Sequence, residues 1–200
     1  GDNTSPRVGL VYHLDSADTL KFLLSQAFRA PQFDERFAIN NPVVLGNEDL
    51  KSETVDTAEL IWIHSWPTAW LSLNLFANRF YDAIVLDPVG NTGTRIYENS
   101  DSVSQSEGMS AELNAQIVQD LKVRLAMTHF FDIPASSFRE ATDLLIASAI
   151  YNFDPWLLSF TVNLNGEREN LVNSTGMTET LDAYALNHLK LIYSIPTEKG

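Results

Sequence analysis

Along most of the chain, apolar and polar residues alternate one for one. In WLSLNLFA, positions 70–77, Leu71, Leu73, Leu75 and Ala77 fall on one face, with Ser72 and Asn74 on the other. WLLSFTVNLN, positions 156–165, sets Trp156, Leu158, Phe160, Val162 and Leu164 against Ser159, Thr161, Asn163 and Asn165. Period two marks a β-strand with one wet face. The stretches 108–117 and 121–130 repeat the pattern, and Val8, Leu10 and Tyr12, Leu20, Phe22 and Leu24, and Ala58, Leu60 and Trp62 give shorter versions. The stretches 139–151 and 181–194 are apolar but mixed in phase. ATDLLIASAIY has a helical look, yet its strand-rich neighbours and the turn residues Asn152-Phe153-Asp154-Pro155 favour a strand. The pattern predicts an all-β, antiparallel fold of about nine strands with no helix.

The connections alternate as regularly as the residues. Short links at 15–18, 64–69, 118–120 and 152–155 are interleaved with long ones at 30–52, 86–101 and 166–180 and an intermediate one at 132–138. An up-and-down meander with all its long loops at one end gives this order, as in outer-membrane barrels. A Greek-key sandwich gives no such rhythm. Runs of about 10 residues suit a tilted bilayer span, whereas soluble strands average about 5–6. Trp62, Trp66, Trp70 and Trp156, with Tyr81, Tyr151 and Tyr193, sit mostly at strand ends, where aromatic girdles lie. Core or edge packing would account for them equally well. The reading is a partial transmembrane β-barrel, its apolar face toward lipid and its polar face toward the lumen. A soluble all-β binding module would instead bury its apolar faces against each other.

Composition narrows the picture. Apolar residues make up 44% and aromatics 10% of the chain, too much for a disordered segment. Lys and Arg number 13 against 26 Asp and Glu, a formal charge of -13, which argues against a nucleic-acid partner. There is no cysteine, hence no disulfide framework or thiolate site. No apolar run of about 18 residues marks a membrane helix, and barrel strands would escape that criterion. The opening GDNTSPRVGL has neither an initiator Met nor an apolar signal region, and IPTEKG follows directly on a strand-like run. Residues 1–200 therefore read as a fragment. His13, His64, His129 and His188 lie on four separate predicted strands, with no ligand-pair spacing. No G-x-S-x-G elbow or Gly-rich phosphate loop is present. Asp34-Glu35 falls in a loop, where solvation leaves little to shift a carboxylate. No catalytic residue, metal site or cofactor is expected.

One stretch breaks the strand rhythm for more than twenty residues, long for a structureless loop unless it has a function. LKFLLSQAFRAPQFDERF leads into it, GNEDLKSETVDTAEL leads out, and LSLNLFANRFYDAIV follows. Together these resemble the barrel of TonB-dependent outer-membrane receptors. In that family a strand ends in an FRAP-like box, here Phe28-Arg29-Ala30-Pro31. A long extracellular loop then meets a GNP-D-L-x-x-E box, here Gly46-Asn47-Glu48-Asp49-Leu50 and Glu53, followed by Thr57 and Glu59. The next strand ends in Asn78, Asp82 and Ile84, and YENSDSVSQSEGMSAEL supplies Gly108 and Glu112 to a later one. The resemblance runs from about Ser5 to Tyr193. Glu48 departs from the proline of the box. The plug domain, the TonB box and the closing terminal strand of the family are not in the chain. Family barrels reach about 22 strands, so nine make less than half of one.

The resemblance implies a segment of a Gram-negative outer-membrane receptor for active uptake of a large scarce nutrient, such as an iron–siderophore complex. Its implied partners are outer-membrane lipid, the nutrient ligand, and the TonB complex through an N-terminal part outside this chain. It singles out Phe28, Arg29, Pro31, Glu35, Arg36, Gly46, Asn47, Leu50 and Glu53 as motif and candidate ligand-loop residues; for each polar one, the plainer reading is a solvated loop group. Haem receptors of the family carry a histidine between the two boxes, and Gln32–Gly46 has none, which lowers the haem reading. Siderophores, cobalamin and oligosaccharides stay open. A passive porin, an adhesin-like barrel and the soluble module are the alternatives.

Overall fold

Each long period-two stretch forms a long strand, and short strands fill the connections between them. In a computed structural model, residues 4–39, 41–90, 93–134, 140–171 and 178–195 are described. In chain order they form β1 (Arg7–His13), β2 (Asp18–Arg29), α1 (Phe33–Phe37), β3 (Val44–Leu45), β4 (Glu53–Trp66), β5 (Ala69–Tyr81), β6 (Ile84–Pro88) and β7 (Arg95–Asn99). These are followed by β8 (Ser104–Val118), β9 (Leu121–Asp132), β10 (Asp143–Phe153), β11 (Trp156–Asn165), β12 (Arg168–Leu171), β13 (Thr178–Leu181) and β14 (Tyr184–Tyr193). Nine of these make one sheet in the order β1-β2-β4-β5-β8-β9-β10-β11-β14. Long strands neighbour one another in sequence order, as the meander requires. β1 and β14 end the order and are not paired with each other, so the sheet is an unclosed part of a barrel.

The connections keep the expected alternation. Residues 14–17, 67–68, 119–120 and 154–155 make the short turns, and 30–52, 82–103, 133–142 and 166–183 the long links. Three details differ from the sequence expectation. The link 30–52 contains a helix, the five-residue α1. It is too short to show a helical period, and its start is set locally: the Gln32 N–H donates to the Glu35 carboxylate at 2.6 Å, half of a capping box. The link 82–103 carries β6 and β7, an antiparallel pair that β3 joins in parallel register, Val44 opposite Arg95 and Leu45 opposite Ile96. β12 and β13 pair in the link 166–183.

The chain divides into two compact units. One gathers Gly1–Gly9, Leu23–Ala58 and Ala77–Ser106; the other gathers Leu10–Phe22, Glu59–Phe76 and Glu107–Gly200. The second unit displays the face pattern most plainly. Leu113, Leu125, Ala147 and Val162 form a lateral row across β8, β9, β10 and β11. Ala115, Val123, Ala149, Phe160 and Leu189 form the next apolar row, extended to β14. Between them, on the opposite face, run Asn114, Arg124, Ser148, Thr161 and His188. On that polar face the Arg124 Nε donates to Glu112 at 2.7 Å, and Asn114 donates to the same oxygen at 2.9 Å. Phe76 and Phe130 meet edge to face at 5.6 Å. Gly108 makes room for them, since a Cβ there would lie 2.6 Å from the Phe76 ring and 2.5 Å from the His129 carbonyl oxygen.

Tryptophans collect beside the short turns of this unit. Trp62 Nε1 donates to Asp18 at 2.8 Å, and His64 Nδ1 lies 2.9 Å from the same carboxylate oxygen. Trp66 flanks His64 at 4.3 Å, and Trp156 packs on Tyr193 at 4.7 Å. The apolar rows are not covered: Phe160 is 42% exposed and Leu75 51%. Among the described residues only Leu50 and Ala141 are buried hydrophobics. A soluble module of this size would sandwich such rows between two layers.

Candidate functional site

The two sequence boxes come together in the first unit, at the end of the strands that carries the long links. Arg29 is the last residue of β2, where the chain leaves the sheet, and Glu53 is the first residue of β4, where it returns. The Arg29 Nε–H donates to Glu53, and Nη1 donates to both oxygens of Glu35, at 3.1 and 3.0 Å. One guanidinium thus holds two carboxylates, each through charge-assisted hydrogen bonds. Glu35 is buried, at 9% exposure. The other Glu53 oxygen accepts the Ile84 N–H at 2.7 Å, at the first residue of β6.

The second box closes on α1 by close backbone approach. A Cβ at Gly46 would lie 2.6 Å from the Arg36 carbonyl carbon and from the Ala38 nitrogen, so only glycine fits there without displacing main chain. The Gly46 N–H donates to the Ala38 carbonyl at 2.7 Å, and the Asn47 N–H to that of Glu35 at 2.9 Å. Asn47 then organises both links with its side chain. Its Nδ2 donates to the Tyr97 carbonyl at 3.0 Å, and its Oδ1 accepts the Asp49 N–H at 3.0 Å. Leu50 is buried beneath, at 7% exposure. Asn99 mirrors Asn47 from the other side: Oδ1 accepts the Lys51 N–H at 2.8 Å, and Nδ2 reaches the carbonyls of Lys51 and Asp82 at 3.1 and 2.7 Å. Asp82 turns the chain with a φ of 53°, a left-handed conformation that aspartate tolerates better than most residues.

Of the nine residues singled out from sequence, Arg29, Glu35, Gly46, Asn47, Leu50 and Glu53 form one connected cluster. Arg36 joins it through Nη2, which donates to the Glu48 carbonyl at 2.5 Å, while its guanidinium lies 5.4 Å from the Phe37 ring centre. Phe28 is 41% exposed, and Pro31 is half-buried just before α1. Most of the polar groups face one another, so their chemistry is that of a clamp on the loops. Apolar side chains are exposed on the same link as well: Phe33 and Ile39 are 80% and 77% exposed, and Phe33 packs on Phe37 at 5.0 Å. Asn78, noted in the sequence pattern, accepts from Thr57 Oγ1 at 2.8 Å. Sequence reasoning missed Tyr97 and Asn99. They lie in a link without periodicity, and Tyr97 contributes a carbonyl, which its side chain does not advertise. Among the described residues no group of three or more His, Asp or Glu side chains is placed to hold a metal ion.

This architecture recurs in solved receptors. The ferric enterobactin receptor of Pseudomonas aeruginosa superposes with a TM-score of 0.80 at 22% identity, over 98% of this chain and 33% of that one. The siderophore receptor PirA of Acinetobacter baumannii gives 0.78 at 19% identity, over 96% of this chain and 34% of that one. The ferripyoverdine receptor of the outer membrane of Pseudomonas aeruginosa gives 0.73 at 19% identity, over 96% and 27%. At such identities the likeness concerns fold alone, and the chain spans about a quarter to a third of each receptor. No curated protein matches the chain at a significant level. Residues 1–198 match the family described as TonB dependent receptor-like, beta-barrel. The chain belongs to the TonB-dependent receptor β-barrel family.

Proposed function

We propose that the chain is a wall segment of a Gram-negative outer-membrane receptor that takes up an iron–siderophore complex with energy supplied through TonB. The observation that carries the reading is the clamped pair of links at one end of a single-layered sheet whose apolar rows are exposed. Links held this way suit a capture site, because ligand loops that are already ordered lose less entropy on binding. The apolar rows face lipid in this reading and the polar rows face the lumen. Siderophore as the ligand class follows the receptors of similar fold. TonB contact and the plug belong to parts outside this chain.

The test is accumulation of radiolabelled iron in iron-starved cells whose only siderophore receptor is the full-length protein. Ferric enterobactin and ferripyoverdine serve as first probes, with hydroxamate complexes next. Accumulation that requires both the receptor and TonB is the expected result. Accumulation that persists without TonB would identify a passive pore, and none with any complex would remove the siderophore assignment.

A further inference from the structure

We infer that Arg29 and Glu53 are positioning residues that fasten the links 30–52 and 82–103 into one ligand-facing body. The inference rests on the receptor reading above and adds how its loops are held. Arg29 sits where the first link begins and Glu53 where it ends, and the two are bonded directly. The same guanidinium grips α1 in the middle of that link through Glu35. The carboxylate of Glu53 then reaches the second link by accepting the Ile84 N–H. Glu53 is therefore the one described side chain bonded both to Arg29 and to the second link. Farther out, the links are joined by main chain and amides: Arg95 N–H to the Val43 carbonyl at 2.9 Å, the β3–β7 pairing, and the reciprocal contacts of Asn47 and Asn99.

Two carboxylates on one guanidinium also make the clamp cooperative. Without Arg29, Glu35 and Glu53 would be left facing each other as like charges. Without Glu53, the Ile84 N–H loses its acceptor while Arg29 keeps Glu35. The two links should therefore loosen together when Glu53 is lost. Loss of Glu35, whose contacts lie within the first link and Arg29, should loosen α1 alone.

Hydrogen exchange of the full-length receptor in detergent, without ligand, tests this. Glu53→Ala should speed exchange about tenfold in residues 43–50 and in 84–88 and 95–99 together. Glu35→Gln should do so in 32–39 only. A response to Glu53→Ala confined to Ile84, or to a single link, would overturn the inference. If that variant does not assemble, Glu53→Gln keeps the volume and one acceptor oxygen but loses the charge. It should raise exchange in both links, and no rise in either overturns the inference. Because exchange is read without ligand, the outcome is independent of transport. A receptor that imports no iron complex but loosens jointly keeps the clamp and loses the siderophore reading, and one that imports but does not loosen jointly does the reverse.

Discussion

At the scale of single residues, close approach and local hydrogen bonds decide what is replaceable. Gly46 has main chain where a side chain would begin, so Gly46→Ala must push α1 away. Overpacking of this kind costs about 1–3 kcal/mol. The exchange of the Asn47 amide, which donates to the Glu35 carbonyl, should rise accordingly. Gly90 is the contrast: nothing lies within 4 Å of its would-be Cβ, but its φ is +55°. Gly90→Ala should cost about 1–2 kcal/mol of local strain and leave the Asn47 amide unchanged. Asp15, in the turn before β2, illustrates a pH effect. The N–H groups of Ala17 and Asp18 donate to it at 2.7 and 2.8 Å, which holds its carboxyl below the usual carboxylate value, with a smaller contribution from His64. The folded turn thus favours the ionised form. Its contribution is complete above the unfolded value of about 3.9 and is lost as pH falls through the lower folded value. The Ala17 amide shift should titrate with a midpoint below about 3.9, and Asp15→Asn, which keeps an acceptor oxygen but does not ionise, should abolish that titration.

At the scale of the element, each long strand presents two faces, and a neighbouring pair of residues distinguishes them. Phe160 shares its lateral row with Ala149 and Leu189, and Thr161 shares the next with Ser148 and His188. Phe160→Arg should block insertion of the full-length barrel, since a cation on the lipid face near the midplane costs roughly 2–4 kcal/mol. Thr161→Arg, on the lumen face, should insert normally. Heat-resistant mobility on gels reads both, and a lipid-borne quencher should reach a fluorophore at position 73 and spare one at position 74. The same facing explains what sequence could reveal. β11 was legible because its wet face is polar from Ser159 to Asn165, with only Leu157 apolar at its start. β10 was legible only through its strand-rich neighbours and the turn that follows it, because the face that carries Ser148 also holds Leu144 and Ile146, opposite Thr128 and Ala126; the apolar run loses its phase when both faces carry leucine or isoleucine. β3, β6, β7, β12 and β13 have two to five residues, too few for a period, and exist through their pairing. In the clamp, Arg29, Glu35, Gly46, Asn47 and Glu53 could be named in advance through the motif resemblance, as motif and ligand-loop residues, but not as partners of one another. The Tyr97 carbonyl and the Ile84 amide could not, because every residue has such groups.

At the scale of the whole molecule, the chain exposes 14039 Å², where a folded soluble monomer of 22.4 kDa exposes about 9,400 Å². A single-layered sheet leaves both of its faces open, the apolar rows among them. β1 and β14 add two open sheet edges, and open edges recruit partners. The isolated 200-residue chain should therefore self-associate in buffer and disperse in detergent. Light scattering coupled to size exclusion checks this, and a monodisperse monomer in plain buffer would contradict the membrane assignment. The tryptophans have a practical consequence at the same scale. All four stand at 62, 66, 70 and 156, beside two short turns, and the long links hold none. Intrinsic emission is consequently a reporter of one end of the strands. It will register how that end enters a bilayer or unfolds, and it will be dark to an event at the clamped loops. For the 200-residue chain, a titration by native fluorescence that shows no change is therefore no evidence against an event at the loops; an added chromophore, such as Phe33→Trp on the exposed side of α1, is what makes the other end visible.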